Sequence, residues 1–185
     1  STHNHSTGSD GKLTPEQVVK KAIELKWDYV YFTEHYKTNP KLTSMWGKDF
    51  FTEEYLEQIK NVKEKYKDKI DICFGTEFDW LEENKDWIKN EIKKHDFDYI
   101  ISGIHKLKYK NEFRGMEKGE DYRKESEKIF GGAKKYVQEY YKQIRNIIKS
   151  KIFDCIVHLD YIRIYNKELK SFNENEDWYK KEIIK

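Results

Sequence analysis

The stretch that decides the fold is IDICFGTE, residues 70–77, a short apolar segment that ends in a carboxylate. A segment of helical periodicity begins near Thr52 and precedes it, and a second helix is predicted from about residue 84 to residue 94. The strand-like segment DYIIS, residues 98–102, follows that second helix. Helices that alternate with short strands predict a parallel sheet, either open or closed into a barrel.

The same alternation continues in both directions along the chain. The further predicted elements are a short strand near residues 2–5, a helix capped by Thr14, a strand at 28–33, a helix at about 133–150, a strand at 153–157 and a final helix near 178–184. Residues 106 to about 132 show weak periodicity and are predicted to form a long loop with local helix. We therefore predict one α/β domain of about five strand-helix units over residues 1–185.

Composition narrows the class of protein. Lys and Arg number 36 against 34 Asp and Glu, so the net charge of +2 gives no broad basic field, and dedicated nucleic-acid binding is not favoured. Aromatic residues make up 16% of the chain, which argues against disorder. Cys73 and Cys155 lie in predicted strands and suit a reducing compartment. No apolar stretch reaches the length of a membrane span, so we expect a cytoplasmic protein without a membrane partner.

Six polar residues with metal-binding side chains fall at the predicted strand ends. They are His3, His5, His35, Glu77, His105 and His158. The carboxyl ends of parallel barrel strands share one face, where such barrels carry their active sites. Imidazole and carboxylate are the ligands expected for zinc, manganese or iron. The sequence therefore predicts a metal centre, whereas His95, at a predicted helix end, is assigned a structural role on the surface.

Four further polar residues near these ligands each have two interpretations. Asp10 is either a site residue or a turn residue before the first long helix. Glu34 is either a partner behind His35 or a solvent-facing carboxylate, and Asp160 is either structural or a partner behind His158. Arg163 is either a bidentate phosphate ligand or a surface residue at the start of a helix.

Taken together, the motifs resemble the PHP family, named for polymerase and histidinol phosphatase. The matching segments, in the family's order, are HNHSTGSDG (3–11), FTEH (32–35), GTE (75–77), SGIH (102–105) and VHLD (157–160). The segment FDCIVHLDY (153–161) and the helix with Tyr140 and Tyr141 are most similar to the histidinol-phosphatase branch. The resemblance implies a distorted TIM-like (β/α)7 barrel with up to three divalent metal ions.

The resemblance also implies how the ligands are shared among the ions. The implied sites are His3, His5 and Glu77 for one ion, Glu77, His105 and His158 for a second, and His35 for a third, with Asp10 a ligand there or a group facing the phosphate. The family's final Asp-x-His motif does not follow His158 in this sequence. We therefore expect a domain truncated at its C-terminal end, in which the second site is the best preserved.

The reaction that this resemblance implies is hydrolysis of a phosphate monoester, with L-histidinol phosphate of histidine biosynthesis as the expected substrate. Asp10 and Arg163 are the expected catalytic residues, and Arg163 is also expected to bind the substrate. A PHP-type nuclease or nucleotide phosphoesterase, which would need a basic and aromatic groove, is one alternative. A non-catalytic metal-binding module and a barrel enzyme without metals are the others.

Overall fold

The computed structural model describes residues 2–37, 39 and 50–185. In the described residues the helices and strands are α1 (Pro15–Glu24), β1 (Tyr29–His35), α2 (Glu53–Tyr66), β2 (Asp71–Asp79), a 3-10 turn (Glu82–Asn84), α3 (Lys85–Ile92), β3 (Tyr99–Gly103), β4 (Lys106–Tyr109), β5 (Glu112–Gly115), α4 (Glu120–Ile129), α5 (Ala133–Ser150), β6 (Cys155–Ile156), a 3-10 turn (Tyr161–Arg163), α6 (Asn166–Leu169) and α7 (Asp177–Ile183). The predicted alternation of helix and strand is confirmed.

The main sheet is parallel, with the strand order β1-β2-β3-β6. Its register pairs His35 with Glu77 and Asp79 with Gly103, so the carboxyl ends of the three longer strands lie side by side. Because side chains alternate along a strand, Val30 and Phe32 share one face of β1, and His35 lies on the other. The sheet therefore brings the polar strand ends to a single edge.

Helices cover the sheet with apolar stripes that the sequence predicts well. Helix α1 begins with the expected capping box at Thr14 and Gln17, and α2 begins after the cap Thr52. Helix α5 buries three tyrosines together with its aliphatic residues. The core formed in this way includes Val30, Phe32 and Tyr140, each fully buried.

Of the five predicted strands, the first is absent and the last is shorter than expected. Residues 2–5 form no strand. The backbone N–H of Thr33 donates to the carbonyl of Asn4 (3.0 Å), as it would in a sheet. The Tyr31 carbonyl, however, accepts its hydrogen bond from the Asn4 side chain and not from a backbone N–H. The predicted strand at 153–157 is reduced to Cys155–Ile156. The described residues thus form four parallel strands, where the sequence predicted five.

The prediction of a long loop with local helix at residues 106–132 is right about the helix and wrong about the loop. This segment contains the antiparallel hairpin β4–β5 and helix α4. The periodicity was hidden because α4 buries Arg123, Ser126 and Glu127 rather than apolar residues. The hairpin turn at Lys110 uses a positive φ of 53° without the glycine that normally signals such a turn.

Among the described helices, none is both long and apolar enough to cross a membrane.

Candidate metal centre

The centre of the polar edge is Glu77, whose carboxylate is only 1% exposed. Three imidazoles surround its Oε2 atom. His5 Nε2 and His35 Nδ1 each lie 3.2 Å from this oxygen, and His3 Nε2 lies 3.8 Å away. The His-x-His pair before α1 and the end of β1 therefore meet at one oxygen of β2.

Two further imidazoles approach the other oxygen of the same carboxylate. His158 Nε2 lies 2.9 Å from Glu77 Oε1, and His105 Nε2 lies 3.6 Å from it. All six ligands predicted from the strand ends are thus gathered at one end of the sheet, as expected. His105 and His158 thus approach the same oxygen, and the assignment of ligands to individual ions stays a prediction.

Three of the imidazoles are oriented by a partner on their Nδ1 atom, which directs Nε2 towards Glu77. The pairs are His3 with Thr33 Oγ1 (3.0 Å), His5 with Asp10 Oδ1 (2.6 Å) and His105 with Asp79 Oδ1. A partner of this kind fixes the orientation and tautomer of a metal-binding histidine and increases its basicity. The ring orientations are therefore those that a metal centre needs.

The backbone at Gly103 and His158 allows the His158 ring to lie close to Glu77. A Cβ atom on Gly103 would lie 2.1 Å from the His158 ring and 3.0 Å from Glu77 Oε1, so only glycine fits there. His158 itself has a φ of 34°, in the left-handed region that non-glycine residues rarely adopt. Its carbonyl accepts a hydrogen bond of 3.0 Å from the Tyr140 hydroxyl on α5.

The donor set and its spacing fit divalent metal ions. Tetrahedral ligands with metal bonds of about 2.0–2.1 Å lie about 3.3 Å from one another, and the contacts around Glu77 run from 2.9 to 3.8 Å. Within the described residues, Glu77 Oε2 and His5 Nε2 are buried and make no hydrogen bond. Three groups of side chains converge closely enough to hold an ion: His3, Glu77 and His158; His5, His35 and Glu77; and His35, Asp79 and His105.

Electrostatics point the same way. Burial acts to lower the pKa of His5, but the adjacent carboxylates of Glu77 and Asp10 outweigh it and raise that pKa to about 9. Burial likewise acts against the charged form of His105, and Asp79 nevertheless raises its pKa to about 9. For His3 burial prevails, with a pKa of about 4. The carboxylates thus favour the protonated, cationic forms of His5 and His105. A divalent ion that binds these rings can take the place of the bound protons.

The loop between His5 and Asp10 is held by Glu34, which is fully buried. Its Oε1 accepts hydrogen bonds from the backbone N–H (2.8 Å) and the hydroxyl of Ser6, and its Oε2 accepts one from the Ser9 hydroxyl. The solvent-facing interpretation of Glu34 is therefore wrong. Asp10, by contrast, is about half exposed, with Oδ2 3.7 Å from His35 Nε2, at the entrance of the cluster.

Asp79 is a site residue that the sequence reasoning missed. It lies two residues after Glu77 on β2, which places both carboxylates on the same face of the strand. Its Oδ1 contacts His105 Nδ1, and it belongs to the group with His35 and His105. The period of two along β2 was the signal that could have found it.

Three predicted residues lie away from the Glu77 contacts. Arg163 is exposed and pairs with Asp160 (3.1 Å) and Glu174 (2.8 Å), so its role towards phosphate stays a prediction. Asp160 is exposed as well, and its ion pair with Arg163 fits the structural interpretation. His95 is structural as expected, but it is half-buried rather than on the surface, with Nε2 3.1 Å from the Tyr36 hydroxyl.

Comparisons with known proteins agree with this arrangement. A family model described as PHP domain matches residues 1–185. The chain is 24% identical over 157 residues to a protein of Deinococcus radiodurans named "Probable histidinol-phosphatase", covering 84% of this chain and 56% of that one. It is 26% identical over 182 residues to the histidinol-phosphatase of Lactococcus lactis, covering 95% and 62%. The chain therefore spans about half to two thirds of the length of these relatives.

Two crystal structures have the same arrangement of helices and strands. The hisK structure from Listeria monocytogenes superposes with a TM-score of 0.80 at 19% identity, over 94% of this chain and 72% of that one. The histidinol phosphate phosphatase of Lactococcus lactis, in complex with Zn, L-histidinol and phosphate, superposes with a TM-score of 0.66 at 23% identity, over 88% and 58%. The predicted fold class is confirmed.

Proposed function

We propose that this chain, which belongs to the PHP domain family, hydrolyses a phosphate monoester at the cluster around Glu77 with the help of divalent metal ions. The observation that carries the proposal is the convergence of five imidazoles on one buried carboxylate, at the spacing of metal ligands. We propose L-histidinol phosphate as the substrate, because relatives of this chain are named histidinol-phosphatase and a similar structure contains L-histidinol and phosphate.

Divalent ions, when bound, would lower the pKa of a water molecule towards neutrality and neutralise phosphoryl oxygens. The residues proposed to hold them are His3, His5, Asp10, His35, Glu77, His105 and His158. Zinc, manganese and iron all suit this set, with up to three ions in a complete centre. Thr33, Asp10 and Asp79 support three of the rings and are proposed to keep Nε2 directed inward.

Asp10 is proposed to act as a carboxylate at the entrance. The nearby imidazole of His35 has the largest effect on the pKa of Asp10 and, with the hydrogen-bonded ring of His5, holds that pKa well below the usual range despite partial burial. Asp10 is therefore ionised at neutral pH and cannot supply a proton to a leaving group. A metal ligand or a group that orients the attacking water suits its charge.

Arg163 is the proposed phosphate ligand, because it lies only five residues after His158. Its side chain is about half exposed, and exposed ion pairs are worth only about 0–1 kcal/mol. The guanidinium can thus leave Asp160 and Glu174 at little cost when a phosphate arrives. We further propose a single metallophosphoesterase domain over residues 1–185, a cytoplasmic location and a small phosphorylated substrate as the partner.

Metal analysis and a substrate panel test the proposal. Protein purified without chelator should contain zinc, manganese or iron, and it should release phosphate from L-histidinol phosphate faster than from nucleoside monophosphates or single-stranded DNA. Metal content without phosphate release from any substrate would point to a binding module, and a preference for nucleotides or DNA would point to a different phosphoesterase. Protein that binds no divalent metal would refute the proposal.

A further inference from the structure

A cavity lies near the candidate metal centre, and its walls include the residues that directly follow Asp79 and His105. Trp80 and Leu81 continue the chain after β2, and Lys106 begins β4. The cavity has a volume of about 360 Å³, within the range of about 300–1,000 Å³ that is usual for small-molecule sites. The six predicted metal ligands do not line it, so it is distinct from the cluster around Glu77.

Lys106 gives this cavity an unusual cation. The residue is only 5% exposed, yet within the described parts of the chain no carboxylate oxygen lies within 4.0 Å of its ammonium. Its Nζ lies 5.8 Å from the centre of the Phe113 ring, which is a weak compensation. Asp79 interacts with this ammonium only at longer range, without a direct ion pair. Because a buried charge without a direct counter-ion is costly, an anion that enters the cavity should be stabilised by this ammonium.

The rest of the lining is apolar, acidic and basic, with Lys108, Lys110 and Gln143 among its residues. Trp80 and Leu81 provide an apolar floor, at 2% and 6% exposure. The rim carries the carboxylates of Glu82, Glu83 and Glu139. Glu83 pairs with Lys108, another lining residue, and Glu139 pairs with Lys142 of its own helix. A matching ligand therefore needs an anionic group, an apolar body and a cationic group.

We propose that this cavity binds a small zwitterion of the class of the free α-amino acids. Its carboxylate would pair with Lys106, its apolar part would lie on Trp80 and Leu81, and its ammonium would meet the glutamates of the rim. The proposal rests on the cavity alone and goes beyond the phosphatase function, so it stands or falls independently of that function.

Binding measurements on the metal-loaded full chain test this proposal. Each free α-amino acid is titrated at up to millimolar concentration, with ¹⁵N NMR of the Trp80 indole as the readout, assigned with Trp80→Phe. We expect saturable binding by at least one apolar amino acid. Its N-acetyl derivative, which lacks the ammonium, and its amino alcohol, which lacks the carboxylate, should each bind at least about tenfold more weakly.

Variants locate the site. Lys106→Met keeps the length of the side chain and should weaken binding at least about tenfold, whereas Lys60→Met, the same change at an exposed position of α2, should leave it unchanged. Glu83→Gln, at the exposed rim, should also weaken binding and does not depend on how well Lys106→Met folds. The proposal is refuted if no amino acid binds saturably, if neither variant weakens binding, or if the signal is abolished only by Glu77→Gln.

Discussion

The candidate metal centre around Glu77 and the segment of residues 106–129 use buried charge in opposite ways. At the centre, Glu77 draws imidazoles from several segments to its two oxygens, and it has a buried oxygen without a hydrogen bond. In helix α4, Arg123 is equally buried, and its Nη1 also makes no hydrogen bond among the described residues, but its charge has a direct partner. It pairs with Glu127 (2.7 Å), donates to the carbonyl of Ile162 (3.0 Å) and lies over the Tyr136 ring.

This difference indicates how buried polar residues that bind a ligand can be distinguished from those that stabilise the fold. Charges that pair directly with an opposite charge on the same helix support the fold, as Arg123 and Glu127 do. Charges that converge from distant segments on a shared point, and still leave an acceptor unused, indicate a missing ligand. The comparison predicts that mutations at the centre impair metal binding, whereas mutations in α4 impair stability.

The largest effect is expected for Glu77→Gln. The amide has the shape of the carboxylate but not its charge, so it cannot compensate divalent ions next to five imidazoles. Metal content and phosphate release should fall by more than about 100-fold, because changes to residues that only support ligands already cost about 10–100-fold. Elemental analysis and steady-state kinetics measure both quantities.

The matched control is Glu57→Gln, the same chemical change at an exposed position of α2. It should leave metal content and turnover unchanged. Full metal content in Glu77→Gln would contradict this contrast, because the buried carboxylate would then stabilise the fold, as Arg123 does, and would not bind metal.

The next largest effect is expected for Arg123→Met. Removing one member of a buried ion pair costs about 3–5 kcal/mol, and Arg123 also loses its bond to the Ile162 carbonyl. The free energy of unfolding in urea should fall by about 3 kcal/mol, while the folded protein keeps most of its metal. Lys124→Met, at the exposed neighbouring position, should have little effect on the free energy of unfolding. A large loss of metal affinity in folded Arg123→Met would show that α4 belongs to the site.

The same contrast explains what the sequence could and could not predict. Glu77, His105 and His158 were found because each lies at or just beyond the end of a parallel strand, where register alone brings side chains together. The hairpin was missed, and α4 was predicted only as local helix without bounds, because their buried positions include Arg114 and Arg123. The burial of these residues depends on partners that only the tertiary structure supplies. Apolar periodicity predicts packing against a core, and it does not reveal ion pairs that replace such packing.

A smaller effect is expected for Asp79→Asn, at the boundary of the two regions. Asp79 orients His105, and burial acts to raise its pKa, but the charge of His105 lowers it on balance. The amide can still accept a hydrogen bond, but it no longer increases the basicity of the ring. Metal affinity should fall by about 10–100-fold, measured by competition with a chelator.

Asp71→Asn is the matched control for this change, because Asp71 lies on the same strand at its exposed beginning. It should leave metal affinity unchanged. A loss in Asp79→Asn as large as that in Glu77→Gln would mean that Asp79 binds an ion directly, in the group with His35 and His105.

The smallest effect is expected for Tyr140→Phe, and helix α5 provides its own control. Tyr140 and Tyr136 are both fully buried on α5, but the Tyr140 hydroxyl donates to the His158 carbonyl, whereas the Tyr136 hydroxyl has no hydrogen-bond partner among the described residues. Tyr140→Phe leaves that carbonyl without its donor, next to a residue with positive φ, and should cost about 1 kcal/mol of unfolding free energy. Tyr136→Phe removes an unused polar group and should be neutral or slightly stabilising. Equal losses in the two variants would show that the His158 backbone is held by the sheet alone, without help from α5.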